Sequence, residues 1–268
     1  MSEFISYKTS SPAGDLISFL AGIKQVYEDT GKKALVYQRL DMPGKSYEGS
    51  IHPFEDSEGQ PVCMPRKMFD MLYPLLKSQE YIEDFIEHKG EEVQFNLDLI
   101  RLERYTNQPF GSLNRWYSYI FPDMCSDLSK KWIIIPDGIA NPYKDKIIIN
   151  YTSRHRNHIL NYHFLKPHQD KIIFAGLQKE RDIFCGTWDL DIPLLQVDDF
   201  LELAKAINGC KFFMGNASFC FQISESLKIP RILEIFPMHP NVIPCGKHAY
   251  DAYHQIPIEF YFHKLLNI

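Results

Sequence analysis

Asp198-Asp-Phe-Leu-Glu-Leu-Ala-Lys-Ala-Ile-Asn-Gly-Cys-Lys-Phe-Phe-Met-Gly-Asn-Ala-Ser-Phe-Cys-Phe-Gln-Ile-Ser-Glu-Ser-Leu-Lys-Ile-Pro-Arg-Ile-Leu233 decides the fold class. Phe200, Leu201, Leu203, Ala204 and Ile207 recur at helical spacing, so an amphipathic helix precedes the short apolar strand Lys211 to Met214. The turn Gly215-Asn216-Ala217-Ser218 then opens a second helix, and Lys228-Ile229-Pro230 leads into another strand. A strand that turns through glycine into a helix gathers backbone N–H groups and a positive dipole end at one point, a seat for phosphate. The same pattern also fits an ordinary Rossmann-like unit that holds no ligand.

Working outward, the N-terminal stretch has the same grammar. Phe4 to Lys8 is a predicted strand, Thr9-Ser10-Ser11-Pro12-Ala13-Gly14-Asp15 a loop, Leu16 to Asp29 a helix stopped by Gly31, and Ala34 to Gln38 a strand. This βαβ opening implies parallel pairing. Asp41 to Gln60 reads as a long polar surface loop. Met68 to His88 reads as mostly helical, with a break at Pro74. Val93 to Leu97 reads as a strand, and Leu113 to Met124, with Trp116, Tyr117, Tyr119 and Phe121, as a helix whose aromatics serve the core or line a sugar or base pocket. Trp132 to Ile135 is a predicted strand, and Pro136 to Pro142 is the best linker, which divides the chain into 1–136 and 137–268.

Beyond the linker the pattern repeats. Lys146 to Asn150 is a predicted strand, Tyr151 to Asn157 a polar loop, Asp170 to Ala175 a strand ending at Gly176, Gln178 to Phe184 the start of a helix, and Leu194 to Val197 a short strand. Two such α/β halves predict an α/β protein of two Rossmann-like domains with parallel sheets facing across a cleft. Pro257 to Ile268 is amphipathic and offers a side for packing back on the first half.

A net charge of −5 gives no general basic surface for nucleic acid, although a local basic cleft remains open. The six cysteines are scattered without a Cys-x-x-Cys pair, which points to a reducing compartment without disulfides or structural zinc. Met1 to Ser10 lacks the basic and apolar regions of a signal peptide, and no apolar run approaches the ~20 residues of a membrane span. The expectation is a cytoplasmic protein. Asp189-Leu190-Asp191 has a metal-motif spacing but lies in a turn after Trp188 and is read as chance. His155, His158, His163 and His168 fit no standard zinc spacing. Phosphate-loop, dinucleotide and hydrolase-elbow signatures are absent.

The carboxyl ends of parallel strands are where ligands bind in open α/β sheets. Three loops belong there: Thr9 to Asp15, Thr152 to Asn157, and Gly215 to Ser218. Arg154 and Arg156 carry guanidinium forks that match phosphate oxygens, or they belong to a solvated basic turn. Asp15 is either a helix-capping carboxylate or a general base.

Lys8 to Asp15 followed by an apolar helix resembles the opening of the ADP-heptose:lipopolysaccharide heptosyltransferases, glycosyltransferase family 9. Gly14-Asp15 is similar to the family's Gly-Asp pair, and the resemblance implies that Asp15 is the catalytic base, with Ser10, Ser11 and Gly14 in the acceptor-side loop. Tyr151-Thr152-Ser153-Arg154 lies where the family has a strand and paired hydroxyl residues that touch the donor phosphates. Gly215 to Pro230 is similar to its Gly-x-Asp-Thr-Gly-x-x-His segment. Counting back from Pro230, Ala217 falls at the family aspartate, Ser218 at the threonine, Phe219 at the glycine and Gln222 at the histidine. The resemblance implies a GT-B fold and transfer, with inversion, of a sugar from a nucleotide-diphosphate-sugar donor to a hydroxyl acceptor. The donor would rest on Thr152, Ser153, Arg154, Arg156, Gly176, Gly215, Asn216, Ala217, Ser218 and Gln222. Such an electrostatic seat requires no metal and no cofactor beyond the donor. Three other readings stand beside transfer: non-catalytic nucleotide-sugar binding, sugar-nucleotide epimerisation, and an interaction protein without ligand.

Overall fold

The structure is a computed structural model that describes residues 3–44, 52–101, 111–136 and 142–268. The chain forms two compact units: Met1–Leu128 with Asp199–Leu201, and Ser129–Asp198 with Glu202–Ile268.

In the first unit β1 (Ile5–Thr9) leads into α1 (Ala13–Thr30) and β2 (Ala34–Gln38). Pro12 sets the extended backbone before α1. Gly31 ends it at φ 71°, a left-handed conformation that suits glycine, with its N–H bonded to the Tyr27 carbonyl at 2.7 Å. Leu16, Phe19, Leu20, Ile23 and Val26 face inward at helical spacing and bury α1 against the sheet. Then come β3 (Met42–Pro43), its antiparallel partner β4 (Val62–Cys63), α2 (Arg66–Lys77), β5 (Ile82–Glu87) and β6 (Phe95–Asn96). The main sheet runs β5-β2-β1-β6, all parallel. Residues 45–51 of the expected Asp41–Gln60 loop lie outside the described residues.

Several expected elements differ. The helix expected to reach His88 stops at Lys77, because Ile82–Glu87 pairs with β2 in register from Ala34↔Ile82, and sheet pairing overrides the local helical pattern. Pro74 does not break α2: it lies near the end, and its carbonyl still accepts the Ser78 N–H at 3.1 Å. The expected strand Val93–Leu97 shrinks to β6. The Leu113–Met124 helix is reduced to α3 (Leu113–Trp116), with the chain tightening into 3₁₀ turns at Tyr117–Tyr119 and Pro122–Met124. Tyr117 is buried edge-on to Phe19 and serves the core, whereas Tyr119 is exposed.

The second unit contains β7 (Ile147–Asn150), β8 (Ile172–Phe174), α4 (Gln178–Trp188), α5 (Phe200–Asn208), β9 (Phe212–Asn216), α6 (Phe219–Leu227), β10 (Arg231–Glu234), β11 (Ala249–Ala252) and α7 (Gln255–Leu266). Its sheet runs β11-β10-β9-β7-β8, again all parallel. Isoleucines of β7 and phenylalanines of β9 are buried on both faces, as expected of central strands covered on both sides, whereas Ile173 of the edge strand β8 is half-buried.

Trp132 to Ile135 is not a strand. The Trp132 N–H bonds to the Ser226 carbonyl, and Lys228 sits 4.5 Å from the Trp132 ring centroid, so packing against the end of α6 uses this segment instead. Leu194 to Val197 keeps only one bridge, Leu194 to Phe174. Residues 137–141 of the linker lie outside the described residues. On α7, Ile258, Phe262 and Leu265 are buried in the second unit's core with Ile147, Phe212 and Ile232. All six cysteines are free thiols, and no described helix is long and apolar enough to cross a membrane.

Candidate functional site

In the second sheet β7 connects to β8 on one side, and the chain then returns to place β9 on the other. The topological switch point therefore lies between β7 and β9, where an open parallel sheet offers its ligand crevice. The strands approach unusually closely there. A β-carbon on Gly215 would stand 2.4 Å from the Asn150 carbonyl oxygen, so only glycine fits. Gly215 and Asn216 are the last residues of β9 rather than part of the expected turn; the turn is Ala217-Ser218 alone.

Asn216 is wholly buried, and its amide joins the two loops across the switch point. Its Oδ1 accepts the Thr152 N–H at 3.1 Å. Its Nδ2 meets the carbonyl oxygens of Arg154 at 2.6 Å, Thr152 at 3.2 Å and His155 at 3.3 Å, and the Thr152 hydroxyl at 3.2 Å. The sequence reading placed Asn216 against the donor; the structure commits its side chain to holding the Thr152–His155 loop. Ser218 caps α6, its hydroxyl accepting the Phe221 N–H at 3.1 Å, and the hydroxyl proton remains available to an acceptor. Gln222, one turn into α6, is buried, and its Oε1 has no hydrogen-bond partner among the described residues.

Ser153 is exposed, and Thr152, Arg154 and Arg156 are half-buried. Arg156 Nε bonds to the buried Glu234 at 3.0 Å, and its guanidinium lies 4.9 Å from the Tyr151 ring centroid. Gly176 follows β8 at φ 148°, where a β-carbon would meet Asn150 Nδ2 at 2.8 Å; that amide is bonded to the Ala175 carbonyl at 2.6 Å. Burial pushes the Glu180 carboxyl up, opposed by the Leu177 N–H and by Arg154. Burial, Arg154 and His239 lower the His155 ring to about 4, so it is neutral at ordinary pH.

Asn150, Glu180 and Glu234 were missed in the sequence. Glu234 and Asn150 had a legible signal: each is a polar residue closing an apolar strand, Arg-Ile-Leu-Glu and Ile-Ile-Ile-Asn. The acidic Asp189-Leu190-Asp191 pair sits on the surface at the end of α4, Asp189 bonded to Lys166 and Asp191 to Arg181. Among the described residues no group of three His, Cys, Asp or Glu is arranged to hold a metal.

The first unit has its own switch point, between β1 and β6. Ser10 N–H and hydroxyl both bond to Asp98 Oδ1, at 2.6 and 2.8 Å. Ser11 is buried, its N–H bonded to Thr9 Oγ1 at 3.0 Å and its carbonyl to Gln38 Nε2 at 3.2 Å. Gly14 and Asp15 belong to the first turn of α1 rather than to the loop, and Asp15 is half-buried at the positive end of that helix. Asp98 escaped the sequence reading because it is 88 residues from the serine it holds.

No protein-family model matches the chain, and no curated protein matches it in sequence. Solved structures do match. The Escherichia coli heptosyltransferase WaaC with ADP superposes with a TM-score of 0.61 at 8% identity, over 97% of this chain and 99% of that one. A glycosyl transferase family 9 protein from Veillonella parvula gives 0.56 at 12% identity, over 98% and 88%. The E. coli ADP-heptose lipopolysaccharide heptosyltransferase II gives 0.53 at 11% identity, over 98% of each chain. At these identities the likeness is one of fold, and it spans nearly the whole chain: this is an α/β protein with the GT-B fold of the family 9 heptosyltransferases.

Proposed function

We propose that the protein transfers a glycosyl group from a nucleotide-diphosphate sugar to a hydroxyl acceptor, with inversion and without a metal. The observation that supports this reading most is the pinned loop at the second sheet's switch point. Asn216 fixes Thr152 to His155 beside the opening turn of α6, so hydroxyls, guanidinium groups and helix amides are gathered where an anion is stabilised. The donor diphosphate rests there on Thr152, Ser153, Arg154, Arg156, Ser218 and Gln222. The acceptor oxygen attacks the anomeric carbon, the carbon–oxygen bond to the diphosphate breaks, and the nucleoside diphosphate leaves with the electron pair. Asp15 takes the acceptor proton.

Ala217 supplies no carboxylate where the family has one, and this favours non-catalytic donor binding as the second reading. Thermal shift with ADP, GDP, UDP and CDP tests the seat: a ligand at about 100 times its Kd adds ~2.7 kcal/mol of stability. Silence across all of them rejects it. Asp15→Asn then separates transfer from binding. The expected variant keeps the ligand shift and loses donor consumption; one that turns over at the parental rate removes Asp15 from the mechanism. Product analysis with and without acceptor exposes an epimerase.

A further inference from the structure

One carboxylate beside the proposed seat has no place in the chemistry above. Glu234 ends β10 and is completely buried, inside the apolar run Arg231-Ile232-Leu233-Glu234-Ile235-Phe236. A carboxylate taken from water needs donors in return, and three meet it. Arg156 Nε bonds to Oε1 at 3.0 Å, the Asn157 N–H reaches the same oxygen, and the Tyr162 hydroxyl donates to Oε2. The Arg156 guanidinium lies among aromatic rings, 4.9 Å from the Tyr151 centroid and 5.7 Å from that of Tyr162. One end of the guanidinium is thus fixed by the carboxylate, and rings pack against its carbon.

The other end is uncommitted. Among the described residues the two terminal nitrogens of Arg156 make no hydrogen bond, and the side chain keeps 18% of its exposure. A guanidinium presents two parallel N–H groups along that edge, and these match a pair of phosphate oxygens. A buried ion pair adds little stability over apolar residues of similar volume, so stability alone gives weak reason for this one.

We propose that Glu234 is a positioning residue of the anion seat: through Nε it holds Arg156 so that the terminal edge of the guanidinium is preset for two oxygens of the donor diphosphate. The inference rests on the donor reading above. Asn157 N–H and Tyr162 act on Glu234, Glu234 acts on Arg156, and only Arg156 touches the ligand.

The test is isothermal titration with whichever of ADP, GDP, UDP and CDP binds the parent most tightly, on variants whose circular dichroism matches the parent. Arg156→Lys keeps the charge and loses the fork. Losing one charge-assisted contact of this kind weakens binding roughly ten- to a hundredfold. Glu234→Gln is expected to weaken binding to a similar extent, yet to add less than about twofold on top of Arg156→Lys, because both changes remove the same contact. A residue that merely supports the fold would weaken both backgrounds equally, and additive losses overturn the proposal. Should Glu234→Gln fail to fold, Tyr162→Phe is read the same way, with an effect in the parent and none in Arg156→Lys. Parental affinity in Arg156→Lys overturns the positioning role while leaving the donor seat standing. A parent that binds none of the four nucleotides removes the donor reading, and this inference with it.

Discussion

Gly215→Ala tests both the fold and the site. Gly215 pairs with Asn150 across the β7–β9 boundary. The added β-carbon would lie 2.4 Å from the Asn150 carbonyl oxygen and 3.4 Å from its carbon. An ordinary C···O contact is about 3.3 Å or longer, so the strands must part by close to 1 Å. The obstacle is backbone, which cannot rotate out of the way. Gly215 does not occupy a left-handed conformation, so alanine is acceptable on dihedral grounds, and restricting the unfolded chain returns about 0.4–1 kcal/mol. Overpacking costs about 1–3 kcal/mol, and a clash between two main chains belongs at the upper end. The net expectation is a loss of about 2–2.6 kcal/mol, or a Tm lower by roughly 4–10 °C. The displacement passes directly to the Tyr151–Asn157 loop, so nucleotide affinity should fall as well. Urea unfolding followed by circular dichroism, with titration of the best-bound nucleoside diphosphate, reads both effects. An alanine variant as stable as the parent would refute the close approach.

Asn216→Ala removes the amide that fixes Thr152, Arg154 and His155, and should cost about 2–3 kcal/mol in denaturant unfolding because buried partners are left unpaired. Asn216→Asp should do worse, since it turns a carboxylate oxygen towards those carbonyls. The His155 ring, lowered to about 4 by burial first and by Arg154 and His239 next, stays neutral in the folded protein while the unfolded chain takes up a proton below pH ~6.5. Its contribution to stability is therefore complete above pH ~6.5 and is lost as pH falls towards 4, by at most about 3 kcal/mol and less for a half-exposed ring. His155→Gln should flatten that part of the stability–pH curve, and an unchanged slope would count against a ring held neutral in the folded protein. Arg231 and Glu225 form a fully buried pair, Nε to Oε2 at 2.5 Å. Glu225 also takes Lys228 Nζ and the Cys245 N–H on its other oxygen, so Glu225→Ala leaves two cations uncompensated and should destabilise by about 3–5 kcal/mol, whereas Glu225→Leu with Arg231→Met should recover only part of the loss, because Lys228 stays without its carboxylate.

The fold was legible where periodicity and punctuation agree. Leu16, Phe19, Leu20 and Ile23, closed by Gly31, specify α1 almost to its ends, and the Asp198–Leu233 stretch contains α5, β9, α6 and β10. It was illegible where long-range pairing outweighs local pattern. Tyr81-Ile82-Glu83-Asp84-Phe85 continues a helical spacing, and only the neighbouring β2 makes it a strand. Trp132 to Ile135 has strand composition, yet its partners are α6 and Lys228 rather than a sheet. For the candidate site, the loops read from the sequence do follow β1, β7 and β9, but local pattern does not show which side chains tie them together. Asn216 was read as a ligand contact, and its side chain is also a tie between loops. Glu234, passed over in the sequence, is the partner of Arg156. A tie of this sort joins positions 62 or 78 residues apart, and no local pattern carries that information.

The two sheets meet the same physical problem with different charge. At each switch point neighbouring strands send their loops to opposite faces, so an N–H one or two residues beyond the first strand has left the ladder. In the first unit the Ser10 N–H is satisfied by a carboxylate, Asp98; in the second the Thr152 N–H is satisfied by an amide, Asn216. An anion placed next to them would separate the two. Asp98 brings a full negative charge, and its second oxygen has no hydrogen-bond partner among the described residues, an arrangement that repels a diphosphate and welcomes a hydroxyl. Asn216 offers the same oxygen without charge, beside Arg154, Arg156 and the positive end of α6. Exchanging the two residue types would set a carboxylate against any anion bound at the second switch point and leave the first with an uncharged acceptor. On the reading proposed above, this difference in charge, rather than the topology the units share, favours the second unit for a diphosphate.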